Sequence, residues 1–434
     1  MREMVKTDIP WMPEISSDFS VGYVKQYFFV SKDLSNDGEP ERVLKLARAG
    51  IVEKDVTTNE GQMATSYAGY NKVCVGDLLL NPMDLYSGAN CNVSELNGVI
   101  SPAYSNLRAK KTGTVVPKYY DYYFKSQYWL MAMFAHGKGV SFDNRWTLNN
   151  DALRSYEIPV APYDRQQKIV DAIQDGEKRV DSLIANVQAQ IEKLKAYKQS
   201  LITEVVTKGL DPNAPMKDSG VEWIGKIPAH WGTAKLQYCA ELRSGITLGK
   251  KYPKDIKLVE RPYLRVANVQ SGGVTLENIK TVQVTEEEDA QYRLTAGEVL
   301  MTEGGDRDKL GRGCVWNGQI EPCLHQNHIF ALRTSKNLDP QFLSYVTASK
   351  IGRVYFDITA IKTTNLACTN SSKVLAFKLP LPPITEQQRI TVHLNNKCSQ
   401  IEQLISLKES KIEKLQQYKR SLIYEYVTGK KEVV

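Results

Sequence analysis

Three short strings in this sequence place side chains at spacings where chemistry is worth testing. Asn81-Pro82-Met83-Asp84 approaches the Asn-Pro-Pro-aromatic signature of a methyltransferase acting on a base amino group, but it lacks the second proline and the aromatic residue. No Gly-rich cofactor loop accompanies it, and a turn is a sufficient reading. Gly245-Ile-Thr-Leu-Gly249-Lys250-Lys251 has the ingredients of a phosphate-binding loop without its spacing. Three residues separate the glycines where four are needed, and Lys251 stands where a hydroxyl would hold magnesium. A basic loop beside nucleic-acid phosphates fits it better. Cys323-Leu-His325-Gln-Asn-His328 offers three borderline metal ligands, yet no second cluster completes a tetrahedron, and a strand bearing polar contact residues is the better expectation. Five histidines scattered through the chain assemble no Ser-His-acid arrangement. The chain is therefore expected to carry neither catalytic residues nor a metal.

Two further loops combine cations, amides and hydroxyls with small residues, the chemistry that reaches phosphates and base edges. The first, Gly137 to Trp146, supplies Lys138, Ser141, Asn144 and Arg145; the second, Thr359 to Asn365, supplies Lys362, Thr363, Thr364 and Asn365. With Lys250 and Lys251, the cations Lys110, Lys111, Arg243, Arg307, Lys309 and Arg312 complete the candidate DNA contacts. Lys and Arg exceed Asp and Glu by 56 to 49, which permits contact with a polyanion and is too even to establish it.

The elements that must position these residues are written twice. An offset of 221, that between Gln167 and Gln388, lays residues 158–208 on 379–429 without a gap. Ile191-Glu-Lys-Leu194 returns as Ile412-Glu-Lys-Leu415, and Ser200-Leu-Ile202 as Ser421-Leu-Ile423. Both stretches have heptad seams: Val180, Ile184, Val187, Ile191, Leu194, Leu201 and Val205 in the first, Leu394, Ile401, Ile405, Ile412, Leu415, Leu422 and Tyr426 in the second. Lys408 and Lys419 occupy two slots of the second seam. The first helix is expected from about Asp164, as N-cap, to Lys208, with a weak point at Asp175-Gly176; the second from a capping box at Thr385 and Gln388 to a stop at Gly429. Gln166, Gln167, Lys193, Lys198, Glu204 and Thr207 recur as well and are expected to face solvent, which makes duplication a better account than two look-alike seams.

The duplication extends upstream. Trp11, Ile15, Phe19 and Val24 share their spacing with Trp223, Ile227, Trp231 and Leu236; Gly76-Asp77-Leu78-Leu79 matches Gly297-Glu298-Val299-Leu300; and Leu107-Arg108 matches Leu332-Arg333. Short β-type runs are expected over 23–30, 43–47, 73–80 and 99–107, with a helix over 118–134 after Pro117. Seven cysteines without a Cys-x-x-Cys pair read as reduced thiols, and no apolar run approaches a membrane span, so a soluble cytoplasmic protein is expected.

This arrangement resembles the specificity subunit of type I restriction-modification systems along nearly the whole chain. The resemblance is carried by Leu379-Pro-Leu-Pro-Pro-Ile-Thr-Glu-Gln-Gln-Arg-Ile390, by Lys411-Ile-Glu-Lys-Leu-Gln-Gln-Tyr-Lys-Arg-Ser-Leu-Ile423 and, most specifically, by Asp218-Ser-Gly-Val-Glu-Trp-Ile-Gly-Lys-Ile-Pro-Ala-His-Trp231. Two departures stand out: Arg165 occupies the place of Glu386, and residues 11–19 lose the Ile-Pro and His-Trp of the later copy.

The fold implied is α+β, with two similar mixed α/β target-recognition domains, each followed by a long helix, and the helices packed as an antiparallel coiled coil. The boundaries expected are 1–157 for the first recognition domain, 158–209 for the first helical spacer, 210–231 for a linker and the start of the second repeat, 232–378 for the second recognition domain and 379–434 for the second spacer. The function implied is non-catalytic reading of a bipartite double-stranded DNA site, with two methylating subunits docked on the helices and restriction-motor subunits beyond them. S-adenosylmethionine, ATP and magnesium would then reside on those partners, and this chain would hold no cofactor. The competing reading is a coiled-coil scaffold holding two protein-binding domains apart.

Overall fold

The heptad stretches form two uninterrupted helices, Tyr163–Lys208 and Ile384–Val427. In this computed structural model the residues described are 3–47, 50–56, 64–83, 85, 91–139, 146–270, 272–305, 310–311, 313–362 and 367–433. Val180, Val187, Ile191, Leu394, Ile401 and Leu422 are buried along the seams, while Ile184, Leu194, Leu201, Ile405, Ile412 and Leu415 are half-buried. The pairing is antiparallel: Lys419 Nζ donates to Asp181 (2.9 Å), Lys408 Nζ to Gln190 (2.6 Å) and Lys198 Nζ to Glu402. The lysines in seam slots thus keep their ammonium groups on polar partners of the facing helix, which is how a cation is tolerated at such a position. Lys198 and Lys419 are equivalent positions, and so are their partners Glu402 and Asp181.

Asp175-Gly176 does not break the first helix. A Cβ at Gly176 would lie 2.6 Å from Leu422 Cδ2, so glycine stands there to admit the partner's leucine. The expected caps also differ. Each helix begins one residue earlier than expected, directly after Pro162 or Pro383, and neither Asp164 nor Thr385 is its cap. Gln166 and Gln387, in the first turn of each helix, are both fully buried rather than solvent-facing. Gln166 Oε1 accepts from the Val116 amide (2.7 Å) and its Nε2 donates to the Ala161 carbonyl (2.8 Å). Gln387 Oε1 accepts from the Asp339 amide (2.8 Å) and its Nε2 donates to the Pro382 and Asn337 carbonyls (2.8 and 2.9 Å). Each glutamine thus ties its long helix to the residue before a proline-led helix of the same unit, Val116 before Pro117 and Asp339 before Pro340, and satisfies buried main-chain groups there in both copies. Thr207 is buried too, its hydroxyl donating to the Thr203 carbonyl. Both helices stop at a left-handed glycine, Gly209 (φ 76°) and Gly429 (φ 74°).

The chain divides into two compact units, residues 1–188 with 409–434, and residues 189–408. Each owns part of each long helix, and both have a four-stranded antiparallel sheet, a mixed sheet and a hairpin; among the described residues the second adds two small sheets, Val269–Gln270 with Gly273–Val274 and Gly304–Gly305 with Ala367–Cys368 and Ile361–Lys362. The first unit has a four-stranded antiparallel sheet in the order Phe28–Ser31, Ser105–Ala109, Leu78–Leu80, Cys91–Val93. The second repeats it as Ala240–Ser244, Ile329–Thr334, Val299–Thr302, Gly313–Val315. Beside it, Val43–Ala47 pairs in parallel with Gly98–Ile100, as Val259–Leu264 does with Leu324–His325. The hairpin of Met4–Lys6 with Glu14–Ser16 returns as Met216–Asp218 with Lys226–Pro228. One core packs Phe28, Leu107 and the tyrosines of the helix Pro117–Trp129 against Ile169, Ile173 and Ile423; the other packs Leu332, Phe342 and Phe377 against Ile202, Val206 and Leu394.

Several expected elements are shorter. The run over 23–30 is a helical turn, Val24–Tyr27, and then the strand Phe28–Ser31. The run over 73–80 is two strands around Gly76 (φ 90°), and that over 99–107 splits at residues 101–104. The helix after Pro117 ends at Trp129; Met131, at φ 55°, turns the chain into a 3-10 turn over Ala132–His136. All seven cysteines are free.

The two departures from the repeat compensate for one another. Asp18 and His230 are equivalent, as are Arg165 and Glu386. Arg165 Nη2 lies 3.5 Å from Asp18 Oδ2, and His230 Nε2 lies 2.9 Å from Glu386 Oε2. The same junction beside a helix-ending glycine is thus made twice with the acidic and basic partners exchanged. Trp231 adds its Nε1–H to Glu386 (3.1 Å), a bond for which Phe19 at the equivalent position has no donor.

Candidate nucleic-acid interface

In the second unit a polar groove of about 710 Å³ brings together three stretches distant in sequence. Thr247 comes from the loop 245–251, Asn327 and His328 from the Cys323-to-His328 string, and Asn370 and Ser371 from the chain just after the 359–365 loop. The loop docks through its backbone: the Ile246 amide donates to the His325 carbonyl (2.8 Å) and the Asn327 amide to the Ile246 carbonyl (2.9 Å). A Cβ on Gly245 would lie 2.1 Å from the His325 oxygen, so this approach requires glycine.

The ligand-like string does not converge. Cys323 is buried among apolar side chains, and its thiol is pushed up to about 12 by that burial. His325 is buried with Nδ1 2.9 Å from the Ile329 carbonyl, and burial lowers its pKa to about 4, so the ring is neutral and structural. Only His328 of the three lines the groove, where Nδ1 lies 2.6 Å from Glu303 Oε2. Among the described residues no group of three His, Cys, Asp or Glu side chains is placed to hold a metal. Asn81 forms a local turn, its Oδ1 accepting from the Met83 amide.

Of the candidate cations, Arg243 lines the groove but commits its guanidinium to the buried Glu298 (3.0 Å) and the Gln291 carbonyl. Glu298 also accepts from Arg333 (3.0 Å) and from the Thr295 amide (2.9 Å). The first unit builds the same feature from Asp77, which accepts from Arg108 (2.8 Å), Asn106 and the Cys74 amide. Bidentate, charge-assisted bonds to a buried carboxylate at a sheet turn are scaffold, and they hold the Arg108 guanidinium well above its usual pKa. Lys250 is exposed but paired with Glu288, which also accepts from Tyr252. Lys251, Lys111 and Lys138 are exposed. Lys110 donates to the Lys25 carbonyl (2.6 Å) and lies 5.0 Å from the ring centre of the exposed Phe29, giving the first unit a cation beside an open aromatic face. Ser141, Asn144, Arg145, Arg307, Lys309, Arg312, Thr363, Thr364 and Asn365 lie outside the described residues, as does the side chain of Lys362.

Sequence reasoning missed Glu303, the buried Glu298 and Asp77, and the groove itself. The recurrence of Gly-Asp and Gly-Glu before matched strands, with an arginine on the neighbouring strand of each copy, was the available signal for the two carboxylates. Nothing marked Glu303.

No family model matches the sequence. The specificity subunit of the type I restriction enzyme MjaVIII of Methanocaldococcus jannaschii is 24% identical over 421 residues, which span 93% of this chain and 86% of that protein. This chain is similar to type I specificity subunits. The EcoKI specificity subunit of Escherichia coli is 25% identical over 252 residues, covering 56% of this chain and 51% of that subunit. Two solved structures have the same fold. A chain from a type I restriction-modification structure concerned with complex assembly and conformational transition superposes with a TM-score of 0.69 at 15% identity, over 95% of this chain and 98% of that one. The HsdS subunit from Thermoanaerobacter tengcongensis gives 0.52 at 14%, over 96% and 98%. No described helix is long and apolar enough to cross a membrane.

Proposed function

We propose that this chain is the DNA-reading subunit of a type I restriction-modification complex. Its recognition domains, residues 1–157, with the reading portion from about residue 20, and 232–378, each read one half of a bipartite duplex site. The observation that carries this reading is the division of labour within the duplication. The buried carboxylates, the helix-entry glutamines and the inter-helix lysines recur in both copies. The groove residues Glu303 and His328 have no counterpart, since Pro82 and Ala103 occupy the equivalent positions. A repeated scaffold with private surface residues is what two readers of different half-sites require, because internal symmetry matches half-site geometry while side chains set sequence.

The helices, in this reading, dock two methylating subunits that supply S-adenosylmethionine, and a restriction-motor subunit brings ATP and magnesium. The complex works in the cytoplasm, and this chain contributes no reacting group. A salt series of duplex binding tests the proposal against the scaffold alternative. Affinity of the chain with its methylating partners should fall steeply between 50 and 200 mM salt, by about a thousandfold for six phosphate contacts. Absence of duplex binding at any salt would favour a protein-binding scaffold.

A further inference from the structure

The geometry points to the Glu303–His328 pair as a base-reading element of the second recognition domain, directed at a base edge that carries an exocyclic amino group. The inference rests on the DNA-reading function proposed above. Thr302 and Ile329 are the last ladder partners of two central strands, and Glu303 and His328 are the next residues on each. Their backbones are fixed: the Glu303 amide donates to the His328 carbonyl (2.9 Å), and the Thr369 amide donates to the Glu303 carbonyl (2.8 Å). The His328 side chain is 55% exposed and that of Glu303 32%.

Because an ionised carboxylate only accepts, the 2.6 Å contact puts the hydrogen on His328 Nδ1. In the neutral ring Nε2 then bears a lone pair, and the carboxylate fixes both tautomer and ring orientation. An oriented acceptor suits the amino groups of adenine N6 or cytosine N4 in the major groove. A phosphate is the poorer match, since the Glu303 carboxylate would oppose it.

The pair is also dispensable to the scaffold. In the first unit the sheet has the same order with Pro82 and Ala103 at these positions, and the fold-holding ion pairs of the sheet are Asp77 with Arg108 and Glu298 with Arg333. A buried-side interaction needed for folding would be expected in both copies; this one lies on the groove of one copy only.

The test is selection of bound duplexes from a random-sequence pool by the full chain, alone and with type I methylating subunits, comparing His328→Ala and Glu303→Gln with the unaltered protein. Both variants should lose about tenfold preference for adenine or cytosine at one position in one half of the motif. The other half and the salt slope should stay unchanged. A uniform loss of affinity with a shallower salt slope would assign the histidine to a phosphate and overturn the inference, as would an unchanged motif in either variant. If the unaltered chain selects no motif in either form, the DNA-reading proposal itself fails, and this inference with it.

Discussion

Burial keeps His325 neutral, and this makes the second unit sensitive to acid. Its folded pKa is lowered to about 4 against an ordinary value near 6.5, so between those values the unfolded chain binds more protons than the folded one. The stability this residue contributes is therefore complete above about pH 6.5 and falls as pH drops towards 4, by at most about 3 kcal/mol. Urea midpoints of the second unit's transition at pH 7.5 and 5.0, for the unaltered chain and His325→Gln, should show the acid-linked loss shrinking in the variant. An equal loss in both would assign the acid sensitivity to other groups. At this scale the sequence was partly legible. His325 and His328 sit three residues apart in one string, and tertiary contacts, the pairing of His325 with Leu264 and the docking of the 245–251 loop, bury one while the other stays on a groove. The burial of Gln166 escapes the sequence for the same reason. A glutamine bonded to buried main-chain groups has the same residue type as one facing water, and its partners at residues 114 to 116 are distant in sequence.

At the scale of elements, the seams were legible because a heptad records its period directly in residue type, and the duplication was legible because both copies keep it. The helix entries and the glycine were not, since the entries depend on main-chain groups of the recognition domains and the glycine on the leucine that the opposite helix presents. Gly176 shows this most sharply. Propensity alone marks it as a break, costing about 1 kcal/mol against alanine. In the packed pair it makes room for Leu422, which is 4% exposed. In a Leu422→Ala background that space is empty, so adding Gly176→Ala should raise stability by about 1 kcal/mol. In the unaltered background the same change should gain less or destabilise, because the leucine must move. Thermal or urea unfolding of the four proteins in the cycle checks this, and equal effects of Gly176→Ala in both backgrounds would mean that the glycine is not there for the leucine.

For the whole molecule, two units built on one plan differ where the polar groove lies in the second and where Lys110 and Phe29 lie in the first. That plan could be read from the sequence because the shared strands and long helices diverged less than the segments between them. Which loop residues line a groove could not, because strands of the same sheet come from segments as far apart as 240–244 and 329–334. If each recognition domain reads its own half of one DNA site, as proposed, a map of the methylated motif after a domain exchange will show it most directly. Residues 20–157 would be replaced by the matching domain of another type I specificity subunit with a different motif, and the chain produced with its methylating subunits. A hybrid motif is expected, with one half changed to the donor's and the other retained. A motif changed in both halves, or in neither by a folded and active complex, would contradict the proposal.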